Sequence, residues 1–302
     1  MQSLLKSTFN LSRTLGSSIH QAVLFSTAPR SFIRFKNGDG QILFGQPEGD
    51  AVVGCKARVI EGDILKNPVV TDKIDIAKEL LYPIEAPQII AIGLNYKQHA
   101  EEAKLPVPKY PAVFIKTINS LNNPFDDVII PKCACAKDET DFEGELAIVI
   151  RDSCKNVKEE DAMKHVLGYC IADDVSARRW QGKKGSNQWC RSKSFDTFTP
   201  LGPQIVMRDT IQSPNALQLK TFVNGKEMQN CNTSDMIFNV PSLISFLSQD
   251  TTLLPGTVIV TGTPGGVGFV RSPPSYLQNG DIIKIVIEQL GMIQHKVVNP
   301  WK

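Results

Sequence analysis

The chain has 302 residues, 42% of them hydrophobic and 21% charged, with a formal net charge of +2. That length can bury a substantial core, in one domain or in one larger domain plus a small one. The near-neutral balance excludes the sustained basic excess that nucleic acid or an acidic membrane surface requires of a main partner.

Residues 1–30 differ in composition from the rest of the chain. Lys6, Arg13 and Arg30 occur among many Ser and Thr, and no acid appears before Asp39. Leu4, Leu11, Leu15 and Ile19 recur at roughly helical spacing, with Lys6 and Arg13 elsewhere around the wheel. This is the pattern of a mitochondrial presequence, with a disordered basic tail as the alternative, and it places the mature protein in the matrix. No run is long enough for a membrane span. Seven cysteines, at 55, 133, 135, 154, 170, 190 and 231, show no zinc-site or disulfide-scaffold spacing and read as reduced thiols.

Strand-like pieces occur at Phe32–Phe35, Gln41–Phe44 and Ala51–Lys56, the first two joined by the hairpin signal Asn37-Gly38-Asp39-Gly40. Asp72–Leu81 has helical character, and Pro83 and Pro87 precede an apolar strand, Gln88–Ile92. The chain therefore divides into a small β-rich N-terminal domain, 31–85, and a larger one, 86–302. A short helix over Lys97–Lys104 is closed by Pro106, Pro108 and Pro111, a tether that permits movement. Strands at Val113–Lys116 and Val128–Ile130, a helix over Glu159–His165 and a buried strand, Val166–Ala172, lead to Asp173 and Asp174. Further strands near Ile205, at Leu217–Val223 and at Val258–Thr261, a helix from Ser242 to Leu247 and a hairpin over Ile282–Val298 complete the chain. Strands outnumber helices without alternating regularly with them, which argues for a β-rich mixed α+β fold and against a doubly wound nucleotide-binding sheet. The glycine-rich run from Thr261 to Gly268 lacks the Lys-Ser/Thr of a phosphate loop.

The chemistry centres on Asp141-Phe-Glu143-Gly144-Glu145, followed by the apolar run Leu146–Ile150. On a strand, side chains two apart share a face, so Glu143 and Glu145 point the same way. Two such carboxylates at the edge of a core persist with a cation or shared protons between them, unless they form only a solvated strand end. With Asp173 and Asp174 at another strand end, the oxygen-only donors favour magnesium, manganese or calcium. The most basic stretch of the mature chain, Ser176-Ala-Arg178-Arg179-Trp180-Gln181-Gly-Lys183-Lys184 with Arg191 and Lys193 behind it, is either a solvated loop or a holder for a small dianionic acid. His99 lies three residues before Glu102 on one helix face, a spacing that serves proton transfer or a surface salt bridge.

Taken together, Gly93-Leu-Asn-Tyr96 with His99 and Glu102, Glu143-Gly-Glu145, Asp174-Val-Ser-Ala-Arg178, Lys193-Ser-Phe-Asp-Thr197 and the run Thr261–Gly268 resemble the fumarylacetoacetate hydrolase superfamily from about Phe32 to the C-terminus. The resemblance implies a β-roll catalytic domain, usually homodimeric, that binds Mg2+ or Mn2+ (Ca2+ being possible) through Glu143, Glu145 and Asp174. It implies His99 and Glu102 on a lid helix, with Lys193 catalytic beside them. Arg178, Gln181 and Thr263 would line the substrate pocket, and Lys116 matches a family lysine. Such enzymes act on 2-oxo and 1,3-dicarbonyl acids through a metal-bound enolate. The resemblance favours oxaloacetate enol–keto tautomerisation, with acylpyruvate-type carbon–carbon hydrolysis or oxaloacetate decarboxylation as alternatives. A non-catalytic metal-binding partner protein is the alternative of another class. Gly144 replaces a larger β-former common in the family and is expected to loosen its strand; Arg179 replaces a common acid.

Overall fold

Leu146–Ile150 is apolar on both strand faces, the signature of a strand covered on two sides. The computed structural model describes residues 28–135 and 139–301, and in it Gly144–Ile150 runs fully buried through the middle of a twelve-stranded sheet. Its neighbours are Val166–Asp173 and Val258–Val260, both antiparallel. Beyond Val258–Val260 come Ile89–Ile92, parallel, and the edge strand Val113–Lys116. On the other side Val166–Asp173 pairs with Thr199–Met207, which joins Ser31–Lys36 through the pairs Ser31–Val206 and Phe32–Ile205. The sheet then continues through Ile42–Pro47 and Lys56–Glu61 to Val69–Ile76.

One apolar cluster unites Phe32 and Ile60 from one end of this sheet with Ile89, Ala147, Val149 and Val258 from its middle and far side, so the sheet rolls upon itself. The opposite face carries Leu146, Ile148, Ile150, Tyr169 and Ile171 against Leu219, Ile283, Ile285 and Ile293 of a five-stranded sheet. The order in that second sheet is Lys226–Asn232, Gln218–Val223, Ile282–Ile287, Gly291–Val298 and Val128–Ile129. The helix Val240–Leu247 covers this core with Val240, Leu243, Ile244 and Leu247, one stripe at helical spacing, and Asn239 caps it by accepting from the Ser242 N–H at 3.0 Å.

The β-rich mixed architecture stands as expected from the sequence, with two local corrections. Residues 72–81 are not helical: Val69–Ile76 and Glu79–Leu81 are strands. The charges that read as a helix surface are the solvent side of an edge strand, where pairing with Lys56–Glu61 overrides local preference. The third strand begins at Lys56 rather than Ala51, because Gly54 adopts φ +88° and turns the chain just before it. Of the presequence expected over residues 1–30, residues 1–27 lie outside the described residues. Among the described residues no helix is long and apolar enough to cross a membrane, and the seven cysteines are unpaired.

Candidate active site

Alternation along two adjacent strands builds the site. Glu143 and Glu145 share the side of Ala147 and Val149, and Asp174 follows the end of Val166–Asp173, where its N–H donates to the Glu143 carbonyl at 2.9 Å. One carboxylate oxygen from each of Glu143, Glu145 and Asp174 falls within 4.8 Å of the others, and all three residues are buried. Asp173, one residue out of phase, points to the opposite side and meets His295 at 2.8 Å.

Two lysines balance these acids. Lys193 Nζ donates to Glu143 Oε2 and Asp174 Oδ2, each at 2.6 Å, and to Ser176 Oγ at 2.7 Å. Burial opposes its charge, but Asp174 and Glu143 outweigh burial and hold the ammonium above its usual range. Lys116, fully buried, donates to Asp174 Oδ1 at 2.5 Å and to the carbonyls of Lys193 and Phe198. It thereby ties Asp174 to the chain segment that carries Lys193.

The glutamates separate in proton affinity. Glu143 is desolvated, yet Lys193 and Arg178 overcome that burial and depress its pKa to about 2. Glu145 is pushed well up, first by burial and then by Asp174 and Glu143. Its Oε2 accepts the Gly262 N–H at 2.5 Å, while its buried Oε1 has no partner. A buried carboxylate oxygen without a donor, beside two other carboxylates, fits a cation. The all-oxygen donor set fits a hard divalent one.

Arg178 Nε donates to Asp141 Oδ2 at 2.9 Å and NH1 to Gln181 Oε1 at 2.8 Å, while NH2 lies 2.7 Å from Glu143 Oε1. Its guanidinium covers the Phe269 ring at 4.3 Å. Asp141 also accepts the N–H groups of Gly268 and Phe269, at 2.8 and 3.0 Å, so one carboxylate anchors both the arginine and the glycine-rich loop. Thr263 Oγ1 donates to the Gly144 carbonyl at 3.0 Å. Asn95 links the segment after Ile89–Ile92 to the same loop through the Thr261 carbonyl, 2.7 Å away.

A cavity of about 600 Å³ opens on this ensemble. Glu143, Glu145, Lys193, Arg178, Gln181, Thr263 and His99 line it, whereas Asp174 lies behind Lys193 and Glu102 is not part of the wall. His99 is buried, which lowers its pKa; Glu143 partly offsets the shift and Arg178 adds to it. Its Nδ1 is 3.6 Å from Glu102 Oε2, beyond a good hydrogen bond, and Glu102 instead accepts the Gly266 N–H at 2.8 Å. The structure thus gathers seven of the nine expected site residues around one cavity and leaves Asp174 and Glu102 just outside its wall.

The model of the fumarylacetoacetate hydrolase C-terminal domain matches residues 88–298. The chain belongs to the fumarylacetoacetate hydrolase family. It is 49% identical over 220 residues to oxaloacetate tautomerase fahd2, mitochondrial, of Xenopus laevis, covering 72% of this chain and 68% of that protein. It is 44% identical over 219 residues to oxaloacetate tautomerase FAHD2A, mitochondrial, of Homo sapiens, covering 72% and 69%. The crystal structure of 2-hydroxyhepta-2,4-diene-1,7-dioate isomerase from Mycobacterium marinum superposes with TM-score 0.77 at 35% identity, over 90% of this chain and all of that one. Like these family members, the chain is an enzyme.

Sequence reasoning missed Gln229, Phe269, Ser176 and the anchoring role of Asp141. Asp141 carried a signal, since it precedes the glutamates in register. Gln229 carried none, because only the tertiary fold brings it to Gly144, 85 positions away.

Gly144 does not loosen its strand. It is buried in regular pairing with Asp173, and an added Cβ would lie 2.3 Å from Thr221 Oγ1. The glycine allows close approach of the second sheet.

Proposed function

We propose that the protein is a divalent-metal-dependent oxaloacetate tautomerase, interconverting the enol and keto forms of a four-carbon dianion. The approach of one carboxylate oxygen each from Glu143, Glu145 and Asp174 to within 4.8 Å of one another, with an unpartnered Glu145 oxygen, carries the metal-dependent reading. The names of the frog and human relatives support the substrate.

Glu143, Glu145 and Asp174 would hold Mg2+ or Mn2+, which supplies Lewis-acid stabilisation of enolate charge when bound. Lys193, held by Glu143 and Asp174 at the cavity wall, would offer its Nζ–H groups to developing negative charge. Arg178, kept charged and oriented by Asp141, and Gln181 with Thr263 hold the dianion. His99, kept neutral by burial, can take a proton and return it. Its long contact with Glu102 shortens when the helix Lys97–Glu102 settles over substrate, and the dyad then moves the proton between enol oxygen and carbon. The enzyme works as a homodimer in the mitochondrial matrix, and every site residue lies within 86–302.

The test is the decay of enol-oxaloacetate absorbance with Mg2+. Decay accelerates with wild-type protein and returns to the uncatalysed rate in Glu143→Gln and Glu145→Gln. Unchanged decay with micromolar wild-type protein rejects the reading.

One observation favours a second reaction. The cavity has an apolar wall of Leu94, Phe114 and Trp189 that oxaloacetate does not need, and that suits the acyl group of an acylpyruvate. Release of acetate from acetylpyruvate would establish this hydrolase activity.

A further inference from the structure

Behind the metal-facing carboxylates, the contact between the two sheets turns from apolar to polar. Leu146, Ile148 and Ile150 face the intersheet core, so Gly144 faces it too, and Ile171 places Asp173 there in the same way. From the second sheet Thr221, Gln229 and His295 meet them, all buried. A polar layer inside two packed sheets is costly unless its members are satisfied.

Their partners show what the layer does. The strand Val258–Val260 reaches along Gly144–Ile150 only as far as Ala147, so Glu143 and Gly144 project beyond that ladder. The Gly144 N–H donates instead to Gln229 Oε1 at 3.0 Å, and the Glu143 N–H to Asp173 Oδ1 at 2.9 Å. Gln229 Nε2 in turn donates to Thr263 Oγ1 at 2.7 Å and to the Pro264 carbonyl at 2.9 Å. Because Thr263 donates to the Gly144 carbonyl, Gln229, Thr263 and Gly144 close a ring around the residue between the two glutamates. Asp173 is steadied from behind by His295 Nε2 at 2.8 Å, both side chains fully enclosed.

We propose that Gln229 and His295 are positioning residues that set the spacing of the Glu143–Glu145 pair. Gln229 fixes the Gly144 backbone directly, and His295 fixes the Glu143 backbone through Asp173. Neither touches the cavity. The two carboxylates are thus aimed by side chains of a different sheet, in the way outer-shell partners orient ligands. The proposal rests on the reading of Glu143, Glu145 and Asp174 as metal ligands.

The test titrates Mn2+ into metal-free protein and follows the electron paramagnetic resonance of the free ion, with circular dichroism as a check on folding. His295→Leu leaves Asp173 without its partner, and Gln229→Met keeps shape but loses all three hydrogen bonds. Each is expected to weaken Mn2+ binding about 10- to 100-fold. His295→Gln restores an N–H donor toward Asp173 and returns affinity close to wild type. A purely structural role would lower the melting temperature but leave Mn2+ affinity unchanged well below it. If His295→Leu does not fold, Gln229→Met carries the test from the other corner. Wild-type affinity in folded variants overturns the positioning role alone. Absence of Mn2+ binding in wild type removes the metal reading and the positioning proposal with it.

Discussion

Replacing Gly144 with alanine tests whether the sheet contact behind Glu143 and Glu145 is as tight as the geometry requires. The new Cβ would lie 2.3 Å from Thr221 Oγ1 and 3.2 Å from both Gln229 Oε1 and Ile285 Cγ2, against roughly 3.5 Å for ordinary non-bonded contact. Thr221 is β-branched and buried within a strand, so it cannot rotate away freely. The glutamate strand must move instead. Overpacking of this kind costs about 1–3 kcal/mol, and at about 2–4 °C per kcal/mol for a chain of this size that lowers the melting temperature by roughly 2–12 °C. The shift also displaces Glu143 and Glu145, so Mn2+ affinity should fall about tenfold. Thr221→Ala removes the clashing oxygen, which has no hydrogen-bond partner of its own. Combined with Gly144→Ala it opens the volume that the new methyl fills. The double variant should recover most of the loss, giving a coupling of about 1–3 kcal/mol. Thermal denaturation of the four proteins with Mn2+ titration measures both quantities. A Gly144→Ala protein as stable as wild type, or one that Thr221→Ala does not rescue, refutes the close-approach account.

The site carries two further expected outcomes. Glu143, depressed to about 2 from an ordinary 4.5, contributes stability that is present above 4.5 and lost as pH falls toward 2. Glu145 is raised, so its contribution is full below its unfolded value and fades as pH rises through the folded one. A cation must displace that proton, so Mn2+ affinity increases from acid to neutral pH with proton release, measurable by calorimetry in buffers of different ionisation enthalpy; pH-independent binding contradicts it. Asp141→Asn leaves one acceptor oxygen where two serve Arg178, Gly268 and Phe269. It should raise KM for the dianionic substrate about tenfold, or about 1.4 kcal/mol, with Mn2+ affinity retained, and an unaltered KM in steady-state kinetics would falsify the anchoring role.

The sequence by itself determined the strands whose burial pattern is complete. Leu146–Ile150 and Val166–Ala172 are apolar at every position or nearly so, and such runs have no alternative to a covered sheet. It also determined the carboxylates, because period-two alternation puts Glu143 and Glu145 on one side whatever surrounds them. Motif order was enough to place the chain in its family. The fold decided what depends on neighbours remote in sequence. Val69–Ile76 became an edge strand because Lys56–Glu61 was there to pair with it. Asp174 rather than Asp173 joins Glu143 and Glu145 because one position of phase turns Asp173 toward His295 on another sheet. Gly144, which by local propensity should soften its strand, is demanded there by Thr221 pressing from the second sheet. Local pattern fixes which way a side chain leaves its own strand, but only the packing of one sheet on another fixes what it meets.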